Sequence, residues 1–238
     1  MIAENYKNIL KKIEAAKERR THVSKDNKYG DVTLVAVTKN HDIAVMREAI
    51  DAGAVHIGEN RVQEAKEKFQ TLDREVVWHL IGHLQTNKAK TAVQMFDLIH
   101  SVDGLKLANA LNEAAKNINK VQDVLIQVNL AKEEQKFGVF KEDLLPLAKE
   151  IDGLQNLKLR CIMLIAPNFT DKEETRPLFR EMYDIFKDLQ TRSLKRAEID
   201  MLSMGMTGDF EIAVEEGSNL VRVGTGVFGA RQNLGKGD

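Results

Sequence analysis

Two short stretches carry residue types able to do chemistry. In "AVTK", residues 36–39, Lys39 closes a run, "VTLVAV", that is apolar for most of its length. A lysine there is either a solvated surface group or, at the mouth of a closed sheet, a desolvated amine free to attack a carbonyl. In "LVRVGTGVFGAR", residues 220–231, Arg222 lies inside an apolar run and Gly224-Thr225-Gly226 follows at once. Glycines at that point let backbone N–H groups come close to phosphate oxygens. Alone, Gly-Thr-Gly is equally a tight turn. Ser203, at the end of the preceding apolar run, and Thr225 add hydroxyl donors and tilt the reading toward phosphate. Arg222 needs a partner if buried: the phosphate, an acidic side chain or a cofactor ring nitrogen.

Such residues need elements to bring them together. Eight β-rich runs recur, at 32–39, 54–60, 76–82, 98–103, 123–129, 157–165, 198–204 and 220–226. Several are near-continuous apolar runs, as expected of parallel strands covered on both faces. Helical registers alternate with them: Ile43, Met46, Arg47, Ile50 and Ala54; Leu105, Leu107, Ala108, Leu111 and Ala115, with Asp103 as N-cap; and Leu178, Met182, Ile185, Phe186 and Leu189. Repeated strand–helix alternation predicts an α/β fold, a single (β/α)₈ barrel, at slightly under the roughly 250 residues usual for it. An extra N-terminal helix precedes it, with Tyr6, Ile9, Leu10, Ile13 and Ala16 on one face. The expected division is 1–30 for that helix and its connection, 31–231 for the barrel and 232–238 for a tail. Pro146, Pro167 and Pro177 are placed at element edges.

A barrel should gather its chemistry at the C-terminal strand ends. The sequence does so: Thr38-Lys39-Asn40, Gly58-Glu59-Asn60, His79 with Gly82-His83, Ser101-Val102-Asp103, Gln127-Val128-Asn129, Ser203-Met204-Gly205-Met206 and Arg222-Val223-Gly224-Thr225-Gly226. Only the sixth run, into Ala166-Pro167, is bland. His79 and His83 are spaced i, i+4, but the glutamate of a zinc helix is missing and the segment reads as strand then turn, so no metal is expected. Glu59 is either a general acid or a helix-start charge. His56 and His100 read as satisfied core histidines, Asp209 and Glu211 as first-turn acids of the last short helix. A net charge of −1 gives no field for nucleic acid or anionic lipid. The single cysteine, Cys161, excludes an internal disulfide framework. With no apolar run near the roughly 20 residues of a membrane span and no apolar signal core, the expectation is a cytoplasmic protein.

A lysine amine, a phosphate cradle and an arginine for a ring nitrogen together suit pyridoxal 5′-phosphate, PLP. The chain resembles the YggS-type family of pyridoxal phosphate homeostasis proteins, which is similar to the barrel domain of alanine racemase. The matching segments, between Leu34 and Arg231, are "AVTK", "IGENRVQEA", "WHLIGHLQTNK", "SVD", "QVN", "LSMGMTGDFEIAVEEGS" and "VRVGTGVFGAR". The resemblance implies Lys39 as the Schiff-base lysine. It implies Ser203, Gly224 and Thr225 at the phosphate, Arg222 at the pyridine nitrogen and Asn60 beside the cofactor, with His79 and Met204 lining the pocket. Departures fall at Cys161-Ile162-Met163, at His83 and at Thr207, where serine is common. The resemblance implies a PLP-binding carrier or regulator supplying PLP-dependent enzymes; the chain is expected to be a monomer. The alternative is a PLP-dependent amino-acid racemase, which needs a base on each face of the substrate carbon. A barrel for another phosphorylated metabolite would leave Lys39 unexplained.

Overall fold

Every apolar run pairs with the next in sequence, and the last closes on the first. In a computed structural model, residues 1–21, 23, 31–133 and 135–229 are described. The strands are β1 (Thr33–Val37), β2 (His56–Glu59), β3 (Val77–Leu80), β4 (Leu98–Val102), β5 (Gln122–Val128), β6 (Leu157–Leu164), β7 (Met201–Met206) and β8 (Leu220–Val223). They form one closed, parallel barrel, with Val35 of β1 opposite Arg222 of β8. The helices are α1 (Ile2–Glu18), α2 (Ile43–Asp51), α3 (Val62–Thr71), α4 (Ala89–Met95), α5 (Leu105–Lys116), α6 (Lys141–Asp152), α7 (Arg176–Thr191), α8 (Phe210–Glu215) and α9 (Thr225–Phe228). The predicted fold class is therefore the observed one. Ala230, Arg231, the tail at 232–238 and most of the connection ending at residue 30 lie outside the described residues.

Side-chain alternation divides the core. Val35, Leu98, Leu125, Met163 and Leu220 form a small cluster inside the barrel. A larger one joins the outward faces of the strands to the helices, including Ile57, Leu80, Met46, Phe179 and Phe186. Helix α1 adds Tyr6, Ile9, Ile13 and Ala16 to that layer, whereas Leu10 stays exposed because the contact stripe is narrower than predicted. The helix braces the end of the barrel. Asn5 donates to the Val227 carbonyl at 3.0 Å, and Arg19 meets Glu211 at 3.1 Å and Glu215 at 2.6 Å.

Four details differ from the sequence reading. Helix α2 stops at Asp51, before Ala54. Gly104, not Asp103, caps α5, because the Asp103 carboxylate turns instead to His83, 3.3 Å away. Pro146 sits inside α6, not at its edge. The carbonyl it leaves unpaired, that of Glu142, is on an exposed turn where water can take it. Finally, α8 is followed by the short α9. Among the described residues, no helix is long and apolar enough to cross a membrane.

Candidate functional site

The C-terminal strand ends do converge. Lys39, Asn60, Arg222, Gly224 and Thr225 line one cavity of about 260 Å³, walled otherwise by Val37, Ile81, Ile165, Met206 and Thr207-Gly208. The sixth strand, bland in sequence, contributes Ile165 and the Leu164 carbonyl.

Lys39 stands on a tight turn just beyond β1. The His41 N–H donates to the Thr38 carbonyl at 3.0 Å, and Asn40 has φ +62°. A positive φ at the third position is one that asparagine tolerates well. Asn60 follows β2 and is pressed by β3: a Cβ on Gly82 would lie 2.3 Å from the Asn60 carbonyl oxygen. Only glycine allows that approach. The Asn60 side-chain Oδ1 is buried and has no hydrogen-bond partner. An orphaned acceptor in a cavity wall is what a ligand donor would satisfy.

Across the cavity, Gly224 and Gly226 direct their N–H groups at the Thr207 hydroxyl, at 3.3 and 3.4 Å. These bonds are longer than the usual 2.7–3.2 Å, so the donors are loosely held. Gly226 is the crowded glycine, since an added Cβ would lie 2.8 Å from Val223. Gly224 has room for one, 3.5 Å from Val37. Thr207 is the residue sequence reasoning passed over as a ligand; a hydroxyl just past the seventh strand end was its only signal.

Beneath the cavity runs a buried polar chain. Arg222 donates to the Ser203 hydroxyl through Nη1 and to the Leu164 carbonyl at 2.8 Å through Nη2. Ser203 Oγ is 3.0 Å from His100 Nδ1. His100 Nε2 is 2.9 Å from His79 Nδ1, and His79 Nε2 is 2.9 Å from His56 Nδ1. Strand register builds this staircase. His56 pairs with Val77 and His79 with Leu98, so each histidine stands two residues further along its strand than the one before. Burial holds Arg222 down at about 10, partly offset by Asp209, so its guanidinium is still charged at neutral pH. Burial and His56 push His79 down to about 3.

This geometry relocates three of the predicted residues. Ser203 lies below the cradle, bound to His100 and Arg222 rather than beside Gly224. His79 lies deeper in the same chain and is not part of the cavity wall. Met204 points into the helix layer; Met206, beyond a register shift in β7, takes its place at the cavity. Glu59 is neither a helix-start charge nor exposed. Its carboxylate is fully buried on Thr38 and Lys68. Burial raises its pKa and Lys68 pulls it back. His83 stacks on Phe137 with ring centroids 3.6 Å apart. Among the described residues, no group of His, Cys, Asp and Glu is placed to hold a metal ion.

A closed parallel barrel with a lysine and a glycine-lined cradle around one mouth cavity defines a small-molecule-binding (β/α)₈ protein. Comparison with known proteins narrows this. The profile described as alanine racemase, N-terminal domain, matches residues 1–232. Haemophilus influenzae has a relative named pyridoxal phosphate homeostasis protein that is 38% identical, covering 97% of this chain and 96% of the relative. An Aquifex aeolicus protein of the same name is 39% identical over 96% and 98%. PipY from Synechococcus elongatus, solved with PLP bound, superposes with a TM-score of 0.82 at 36% identity, covering 96% of this chain and all of PipY. Alanine racemase of Clostridium difficile shares the fold at a TM-score of 0.70 and 16% identity, with 97% of this chain and 61% of the racemase covered. The chain belongs to the alanine racemase N-terminal-domain family, among the proteins named for pyridoxal phosphate homeostasis.

Proposed function

We propose that this chain binds PLP in the mouth cavity, holds it covalently through Lys39 and serves intracellular PLP homeostasis. The observation that carries the reading is that Lys39 and the Arg222–Gly224–Thr225 arc line the same cavity. The orphaned Oδ1 of Asn60 and the loosely held N–H groups of Gly224 and Gly226 fit a ligand with a phosphate and a polar ring. Gly224, Thr225 and Thr207 would hold the phosphate, Arg222 would face the ring nitrogen and Asn60 would lie beside the ring. Ser203 and His79 act behind Arg222, fixing its guanidinium. When bound, PLP supplies an aldehyde that a lysine amine can bond reversibly. The chain is assigned to the cytoplasm, as a monomer that passes PLP to enzymes requiring it.

Borohydride reduction of the PLP-loaded protein, followed by peptide mass spectrometry, tests this. The pyridoxyl group is expected on Lys39; finding it on another lysine, or nowhere, overturns the assignment. The racemase alternative predicts a second base. Among the described residues lining the cavity, Lys39 is the one amine, with no histidine or tyrosine opposite it. Chiral chromatography after incubation with L-alanine and other L-amino acids is therefore expected to show no inversion. Turnover in the usual enzyme range, roughly 1–10³ per second, would overturn that expectation.

The cradle makes its own prediction. Thr207→Val keeps the shape and removes the hydroxyl. A charge-assisted hydrogen bond is worth roughly 1.5–3 kcal/mol, so PLP affinity should fall about tenfold or more. Pyridoxal, which lacks the phosphate, should bind as before. An unchanged preference for PLP over pyridoxal would place the phosphate elsewhere.

A further inference from the structure

The segment "GENRVQEAKEK", residues 58–68, supplies Asn60 to the cavity, yet its charged residues touch no part of it. Three of them, Glu59, Glu64 and Lys68, converge on the turn that carries Lys39. Lys68 of α3 is almost fully buried, and its ammonium meets three acceptors at 2.7 Å: the Thr38 carbonyl, Glu59 Oε1 and Glu64 Oε1. The same Glu64 oxygen accepts from the Asn40 N–H. The Thr38 hydroxyl donates to Glu59. The residues on both sides of Lys39 are thus gripped, Thr38 by carbonyl and hydroxyl, Asn40 by its N–H. Lys68 spends all three of its donors.

We infer that Glu59, Glu64 and Lys68 are positioning residues that aim Lys39 into the cavity. Burying an ion pair seldom adds stability over apolar packing of the same volume. A buried Lys–Glu pair whose other bonds go to one turn, or to Glu64, which itself holds that turn, is better accounted for by what it holds still. The turn needs holding. Asn40 is left-handed, and a flexible lysine stem multiplies any error at its Cα. Misplacing a reacting group by about 1 Å can cost about a hundredfold in rate.

This inference rests on the reading of Lys39 as the residue that bonds PLP. In that step the Lys39 nitrogen bonds the aldehyde carbon and the aldehyde oxygen leaves as water, with no change of oxidation state. The test separates aim from binding. Pyridoxine 5′-phosphate keeps the ring and phosphate but has no aldehyde, so its affinity reports the cavity without Lys39 chemistry. Glu64→Ala leaves the Lys68–Glu59 pair in place. The double variant Glu59→Gln/Lys68→Met removes both buried charges together.

Both should slow formation of the near-violet adduct with PLP by about tenfold to a hundredfold, the range set by small misplacements. Both should bind pyridoxine 5′-phosphate as wild type does. Glu64→Gln, which keeps an acceptor for Asn40, should restore most of the rate. Wild-type adduct rates in Glu64→Ala overturn the inference, as does a parallel loss of pyridoxine 5′-phosphate binding, which would mark a general structural role. Glu64→Ala suffices where the double variant does not fold. A wild-type chain that forms no adduct on Lys39 overturns the reading of the site itself, and the clamp with it.

Discussion

Lys39→Ala is expected to abolish the borohydride-stable pyridoxyl adduct and the near-violet absorption that accompanies it. The loss should be complete, because among the described residues lining the cavity no other amine can replace it. Folding should be spared. Lys39 is partly exposed on a turn whose geometry comes from Thr38, Asn40 and His41, and such substitutions usually stay within about 0.5 kcal/mol. The variant should still take up PLP reversibly through the cradle and Arg222, each charge-assisted hydrogen bond contributing roughly 1.5–3 kcal/mol. Equilibrium dialysis would show this residual binding, and thermal melting would show the intact fold. A reducible adduct of undiminished stoichiometry in Lys39→Ala would end the assignment. Loss of binding together with loss of the fold would instead show that Lys39 supports structure.

The barrel was legible because its signals are local: each apolar run is a strand and each amphipathic stretch a helix, whatever their partners. Lys39, Asn60, Arg222, Gly224 and Thr225 were legible for the same reason, since a strand end is known from its own sequence. What escaped depends on register. Ser203 and Met204 are neighbours, yet one faces the barrel interior and the other the helices, and the shift before Met206 resets the alternation. The bonding of His56, His79 and His100 follows from a two-residue stagger between strands that no single strand reveals. The burial of Glu59 comes from Lys68 reaching back from α3, nine residues on. Pro146 escaped because its cost depends on which side of α6 meets water.

That staircase carries a second large expectation: acid should destabilise the fold well before its carboxylates titrate. Arg222 can only donate, so Ser203 accepts from it and gives its own proton to His100 Nδ1. His100 then donates from Nε2 to His79, and His79 from Nε2 to His56, so every buried nitrogen is satisfied only while the rings are neutral. The opposite polarity would leave the Ser203 proton without an acceptor. Burial first, then neighbouring positive groups, push His79 to about 3 and His100 well below its ordinary value. Burial lowers His56 too, with Asp97 opposing.

The unfolded chain binds these protons near pH 6.5 and the folded chain does not. Stability is therefore full above that pH and is lost as pH falls toward the folded values. Between pH 7.5 and 5.5, His79 alone should cost about 1.4 kcal/mol, with His100 adding in the same direction. Glu59 and Asp209, whose carboxyl pKa values are raised by burial, oppose the loss at lower pH. Urea unfolding should show proton uptake on unfolding that rises to more than one by pH 5.5, and His79→Leu should remove nearly one of them there. Nitrogen-15 spectra at pH 6 should show His79 and His100 as neutral Nε2–H tautomers. A flat stability profile, or either ring titrating near 6.5, would mean that water reaches the chain and that Arg222 is not held by it.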